Sequence, residues 1–343
     1  MQSLLEQEIL SQPGVIAHLL TQEREHVRTI IEQLPTFEYV VIAARGSSDH
    51  AATYAKYAWP AFAGYPVALA TPSLHTMYHQ PPRFRGALVV GISQSGQSPD
   101  IVAVLEEGKR QGRPTIAITN DPASPLAAIA DHVVELHTGP ERSVAATKTY
   151  SAQLAVMMLF AATWSEDKTH LGELERAPEA MVQTLEASTE IAEYAKHFKD
   201  LQQCIVIGRG YNYATSFELA LKLKELTYMQ VTGYSSADFR HGPIATVAPG
   251  IPVIQVMPSG ATYADMLALS GEVRQRGAEL LVISDAGEAL AQATYPMALA
   301  ALPEWLSPLT AILPGQLFAL NLAQAKGYQV DTPRGLNKVT RTN

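Results

Sequence analysis

Short, largely apolar runs punctuate the chain: Tyr39 to Ala44 (YVVIAA), Ala87 to Ser93 (ALVVGIS), Pro114 to Thr119 (PTIAIT), Asp131 to Leu136 (DHVVEL) and CIVIG from Cys204. The first two run into Gly- and Ser-containing turns, RGSS and QSGQSPD, and then into helical spacing in HAATYAKYAW and IVAVLEEGKRQG. Apolar strands alternating with helices predict an α/β fold, with a parallel sheet covered by helices on both faces in a three-layer, flavodoxin-like sandwich. From about Leu4 to Leu34, apolar positions recur at helical spacing among Glu, Gln and Arg, with Pro13 at or near a helix start.

The second half repeats the first. Ala44-Arg45-Gly46 answers Gly208-Arg209-Gly210, and Ser95-Gly96 answers Ser259-Gly260, both at a spacing of 164 residues. RQGRPTIAITND likewise answers RQRGAELLVISD. Two tandem copies of one α/β unit are the economical explanation. The predicted organisation is a helical lead-in (1–34), a first domain (35–165), a helical connector (166–199), a second domain (200–328) and a C-terminal tail over the active site (329–343). The copies differ in chemistry, because the hydroxyls and amides of Ser93-Gln94-Ser95-Gly96-Gln97-Ser98 are mostly lost in Met257-Pro258-Ser259-Gly260-Ala261-Thr262.

At 343 residues, 47% hydrophobic and 17% charged, the composition is that of a compact protein with apolar surface left for self-association. A net charge of −8 argues against nucleic-acid or anionic-membrane binding. No run of about 20 uninterrupted apolar residues and no leader pattern stand out, which gives the expectation of a cytoplasmic protein. Cys204, the single cysteine, opens an apolar run and reads as a small buried residue rather than a nucleophile. No HExxH, clustered Cys or dense His/Asp set suggests a metal, and no cofactor is expected.

Candidate chemistry concentrates in Thr215 to Pro243. Glu218, Lys222 and Glu225 fall on one helical face beside the apolar stripe of Leu219, Leu223 and Leu226. On an arbitrary helix such a ladder is a solvated charge pattern worth a few tenths of a kcal/mol per pair. Here a Gly- and Ser-containing segment without apolar period follows, closing on Arg240-His241-Gly242-Pro243, a turn able to present an imidazole. Ser93, Gln94, Ser95 and Ser98 sit where a strand meets a helix N-terminus, and Ser47 and Ser48 hold the equivalent strand end in the neighbouring βα unit. Either turn alone is ordinary helix-capping chemistry. Two in one sheet fit a cradle for a single phosphate, and no dinucleotide or P-loop fingerprint accompanies them. Ser143 to Lys148 (SVAATK) leads into a long apolar helix and is either a capped helix start or a ligand loop. The last residues, with Arg334, Lys338 and Arg341, form a tail whose Val330-Asp331-Thr332-Pro333-Arg334 turn is stiff.

RGSSDHA, SQSGQSPD, GPERSVAATKTY, ELALKLKE, RHGP and DTPRGLNK, in this order, resemble the double sugar-isomerase (SIS) family, in particular the isomerase half of glucosamine-6-phosphate synthase and its stand-alone deaminase relatives. The resemblance implies two SIS domains, a phosphosugar substrate, and a phosphate held by Ser47, Ser48, Ser93, Gln94, Ser95 and Ser98. It implies Glu225 as the base moving a proton between C1 and C2, and His241 as the ring-opening residue, reaching in from the neighbouring subunit of a homodimer. Lys338 is implied at the sugar end, able to form an imine with a ketose, with Glu218 and Lys222 flanking the site and Val144 and Ala146 in the loop beside the sugar. The chain departs from the synthase where Ala146 replaces a Ser and Asp49 an aromatic residue, and no cysteine nucleophile follows Met1. The expected reaction is conversion of glucosamine 6-phosphate to fructose 6-phosphate and ammonia, without glutaminase activity. The alternatives are a plain aldose-ketose isomerase, a fructosamine-phosphate deglycase or, from a different class, a non-catalytic sugar-phosphate sensor.

Overall fold

The structure, a computed structural model, describes residues 2–338. Helices α1 (Leu4–Leu10) and α2 (Gln12–Gln33) come first, with Pro13 in the first turn of α2, where a missing N–H costs nothing. Then follow β1 (Tyr39–Ala43), α3 (Ser47–Ala63), β2 (Val67–Leu69), α4 (Ser73–Thr76), β3 (Ala87–Ile92), α5 (Pro99–Arg110), β4 (Thr115–Thr119), α6 (Pro125–Ile129), β5 (His132–Glu135) and α7 (Lys148–Trp164). Three helices, α8 (Thr169–Leu174), α9 (Ala177–Glu186) and α10 (Ile191–His197), lead to β6 (Gln203–Gly208), α11 (Tyr213–Thr227), β7 (Gln230–Ser235) and α12 (Ser236–Arg240). The chain continues through β8 (Pro252–Val256), α13 (Tyr263–Gln275), β9 (Glu279–Ser284), α14 (Gly287–Gln292), β10 (Tyr295–Ala298) and α15 (Ser307–Ala325).

These elements form two compact units. One comprises Gly14–Glu141, Lys148–Glu175 and the chain from Asn337, and holds a parallel sheet in the order β2-β1-β3-β4-β5. The other comprises the residues up to Pro13, Arg142–Thr147 and Arg176–Leu336, and holds a parallel sheet in the order β10-β9-β8-β6-β7. Read from the other edge, the second order is the first one again. The internal repeat is therefore a repeat of topology, as the sequence spacing implies.

In the first-sheet unit, Val41, Ala43, Val89 and Ala117 point to one face and are covered by Ile101, Val104 and Leu105 of α5 and Leu126 of α6. In the second, Ile205, Ile207, Val253, Leu280 and Val282 meet Phe239 of α12, Met266, Leu269 and Val273 of α13 and Ala289 of α14. Every residue of β3, β4 and β8 is buried, which is why β3 and the centre of β4 read as continuous apolar runs, whereas β8 also buries Gln255. α15 is long and apolar enough to qualify by length and composition as a membrane span, although Pro314, Gln316 and Asn321 interrupt it. Its window is 89% buried inside the protein, which makes it a core helix.

Candidate active site

In the first-sheet unit, β1 pairs with β3 in parallel, Ala43 opposite Gly91, and the connections leave these two strands toward opposite edges of the sheet. Their C-terminal ends are thus the topological switch point where open α/β sheets bind ligands. Ser47 and Ser48 open α3 directly after β1, behind Gly46 at φ 56°, a conformation that favours glycine. Ser93 to Ser98 join β3 to α5. The structure therefore brings both predicted turns to one strand-end edge.

The second turn is folded tightly by its own groups. Ser93 Oγ accepts the Gly96 N–H at 3.2 Å and Ser95 Oγ accepts the Gln97 N–H at 3.3 Å, while the Gln94 carbonyl accepts from Asn120 N and Thr119 Oγ1. Gly96 has φ 61°, and a Cβ there would stand 2.1 Å from Ser124 Oγ, so only glycine lets the loop close. Ser98 occupies the N-cap of α5, yet its hydroxyl makes no capping bond. Arg45 Nε holds the fully buried Asp100 at 2.8 Å and ties the first turn to α5. Asp49, in the first turn of α3, has its carboxyl pushed up by burial, partly offset by His50, Arg45 and Lys56. Hydroxyls, backbone amides and the N-termini of α3 and α5 thus meet at this edge of the sheet.

The same unit holds Lys338, whose Nζ lies 2.6 Å from Glu141 Oε2. The Glu141 side chain is fully buried and also accepts Thr149 N at 3.1 Å and Thr149 Oγ1 at 2.8 Å, which caps α7. Glu141 is a functional candidate that the sequence reading leaves unassigned, although it stands inside the GPERSVAATKTY motif. Its one local signal is a carboxylate just ahead of a helix start. Arg341 lies outside the described residues.

In the second-sheet unit, Glu218, Lys222 and Glu225 line one face of α11. Lys222 Nζ lies 2.6 Å from Glu225 Oε2 and 3.4 Å from Glu218 Oε1. The side chains of Glu218 and Lys222 are 0% and 1% exposed, whereas that of Glu225 is 22% exposed. The row is not a solvated ladder. It is an interior cation held between two carboxylates, one sealed and one partly exposed.

The segment after α11 is more ordered than its composition predicts. It forms the edge strand β7, with Val231, Gly233 and Ser235 turned inward, and then α12. Glycine and serine on the inward side hide the alternation that would mark a strand. His241 ends α12 as its C-cap and is exposed, and it is not part of the α11 row. Arg240 fixes this corner through Asp265 at 2.8 Å and Glu272 at 3.0 Å.

Val144 and Ala146 are half-buried in a loop held by two distant segments. Val144 N donates to the Asp331 carbonyl at 3.1 Å, and the Ser143 hydroxyl and the Arg142 and Ser143 amides donate to the buried Glu8 of α1. Asp331 Oδ1 in turn accepts the Leu5 N–H at 2.9 Å. The predicted lead-in thus includes a helix that positions the candidate sugar loop. Farther along, Arg334 stacks 4.1 Å from the centroid of the Tyr228 ring, and its N–H donates to the Tyr228 hydroxyl. Among the described residues, no group of three or more His, Cys, Asp or Glu side chains could hold a metal ion.

A model described as the SIS domain matches residues 38–163 and 197–325, one segment around each sheet. The chain belongs to the SIS-domain family, with two SIS repeats. It is 34% identical over 336 residues to a glutamine–fructose-6-phosphate aminotransferase (isomerizing) of Pyrococcus horikoshii, a match covering 96% of this chain and 56% of the relative. The chain thus spans little more than half the length of the curated relatives it matches. Among solved structures, it is similar to the C-terminal domain of glucosamine-fructose-6-phosphate aminotransferase from Francisella tularensis, with TM-score 0.88, 26% identity, and 97% and 99% of the two chains covered. It also shares its fold with a glucosamine-6-phosphate deaminase of Thermotoga maritima, with TM-score 0.80, 22% identity, and 99% and 100% coverage.

Proposed function

We propose that this protein is a phosphosugar enzyme of the aldose-ketose isomerase type that converts glucosamine 6-phosphate and water to fructose 6-phosphate and ammonia. The observation that carries the reading is the α11 row, in which a buried lysine holds an accessible carboxylate next to a sealed one. Kinship with the isomerase domain of the aminotransferases supports the substrate class. Cys204 is buried, and burial pushes its thiol up to about 12, so these residues supply no thiolate for releasing ammonia from glutamine.

In this reading the Ser47–Ser48 and Ser93–Ser98 turns hold the phosphate, which does not react. His241 opens the ring. Glu225 removes the C2 proton of the open aldosamine and returns it to C1, which leaves an imine at C2 that water hydrolyses to the ketose and ammonia. Lys222, 2.6 Å from Glu225 Oε2, steadies the enolamine charge. Lys338 is suited to form an imine with the C2 carbonyl of a ketose, and Glu141 can accept the proton its ammonium must lose. Val144 and Ala146 border the sugar.

A panel of phosphosugars assayed for ketose and ammonia tests this. Glucosamine 6-phosphate is expected to yield both in equal amounts. Interconversion of neutral hexose phosphates with no ammonia from any hexosamine phosphate would make it a plain isomerase, and amino-acid release from fructosamine phosphates a deglycase. Ser93→Ala with Ser95→Ala is expected to raise KM strongly while the fold, read by circular dichroism, is unchanged; an unchanged KM places the phosphate elsewhere.

The exposure of His241 supports its service to the site of a second copy in a homodimer. Mixing inactive Glu225→Gln and His241→Asn chains is then expected to restore activity, since a hybrid dimer has one site with both defects and one with neither. If subunit exchange is verified and no activity returns, His241 does not act across an interface.

A further inference from the structure

The second sheet has a switch point of its own, between β6 and β8, with the turn Arg209-Gly210 after β6 and Met257 to Thr262 after β8. At the repeat spacing, Gly210 answers Gly46, Ala261 answers Gln97 and Thr262 answers Ser98. Thr262 is the N-cap of α13, as Ser98 is of α5, and neither hydroxyl caps its own helix. What the Thr262 hydroxyl does instead is visible. It donates to Glu304 Oε1 at 2.8 Å, and the Ala261 N–H donates to Glu304 Oε2 at 2.6 Å.

The carboxylate lies against both turns. A Cβ built on Gly260, at φ 151°, would stand 2.3 Å from Glu304 Oε2, and one on Gly210 would stand 3.9 Å from Oε1. A neighbouring amide, Ser259 N–H, is taken by Asp285 Oδ1 at 2.6 Å. So the Ala261 amide and the Thr262 hydroxyl, which stand where Gln97 and Ser98 stand in the first copy, are aimed at an anion that is part of the chain. A two-oxygen carboxylate at the start of a 13-residue helix satisfies the same amides and dipole that would hold a phosphate.

We propose that Glu304 is an internal anion filling a second, latent phosphate cradle, so that each chain takes a single phosphate monoester and removal of the Glu304 charge opens a second site. This rests on the reading that Ser93 to Ser98 hold phosphate in the first copy. The duplication then keeps two cradles but leaves one free for substrate.

Equilibrium dialysis with inorganic phosphate counts the sites. Wild-type protein is expected to bind one phosphate per chain, Ser93→Ala/Ser95→Ala none, Glu304→Ala two, and the triple variant one. If the serine pair still binds one, the reading of the first cradle fails, while the difference between wild type and Glu304→Ala still judges this proposal. Two phosphates on wild type, or no gain in Glu304→Ala and in the triple variant, overturns it. Should Glu304→Ala not fold alone, high phosphate is expected to restore it by supplying the missing anion. Glu304→Gln, which keeps the side-chain length, is expected to gain the same second site more weakly. Failure of both variants to fold in high phosphate, or to gain phosphate when folded, counts against the proposal.

Discussion

Replacing Glu225 with glutamine is expected to lower kcat about a hundredfold or more with little change in KM, the size of a lost general base. Glutamine keeps the volume and an oxygen that can accept from Lys222 Nζ, now 2.6 Å away, but it cannot carry a proton. Glu218 shares the same lysine, but its side chain is 0% exposed against 22% for Glu225, so Glu225 is the better placed of the two to meet a sugar. Glu218→Gln is therefore expected to affect stability more than proton transfer. Solvent deuterium incorporation at C1 of the fructose 6-phosphate formed during turnover reads the step directly. Wild-type exchange in Glu225→Gln would assign the transfer to another group.

The largest stability effect is expected at Lys222. Lys222→Met roughly preserves length and removes the cation between two carboxylates, one of them fully buried. Breaking a buried ion pair from one side costs about 3–5 kcal/mol, because the remaining charge has been taken out of water without its counterion. Urea unfolding measures the loss, with the exposed neighbour Lys224→Met as control. A loss at Lys222 no larger than at Lys224 would mean that the row is not energetically coupled.

Much of the fold could be read in advance because β1, β3, β4 and β6 are interior strands of parallel sheets. Burial on both faces leaves a continuous apolar signature bounded by turns. The edge strands β2 and β7 were missed for the complementary reason. β2 has three residues, and β7 exposes alternate positions while turning Gly233 and Ser235 inward. At the candidate site, the α11 row was legible as spacing, since helical pitch alone puts Glu218, Lys222 and Glu225 on one side. Its burial was not, because that depends on what covers the helix. The partners of Glu8 and Glu304, and the Lys338 partner of Glu141, were invisible for a third reason. Each carboxylate meets partners in a different element, Glu8 135 residues from Ser143 and Glu304 43 residues from Ala261, and local pattern contains no record of such pairs.

The bonds at α1 also set a timetable. Leu5 N–H finds its acceptor, Asp331, 326 residues later in the chain, while Glu8 of the same helix needs only to wait for Ser143. At about 5–20 residues per second, ribosomal synthesis separates these two events by roughly 10–40 s. During that interval the helix can hold the Arg142–Ser143 loop while its own first turn lacks the carboxylate that completes it. Closing so long a loop costs only about 1 kcal/mol more than closing the shorter one, so the delay is set by synthesis rather than by chain entropy. A nascent chain stalled before Asp331 would carry its earliest helix unfinished at the N-terminal end.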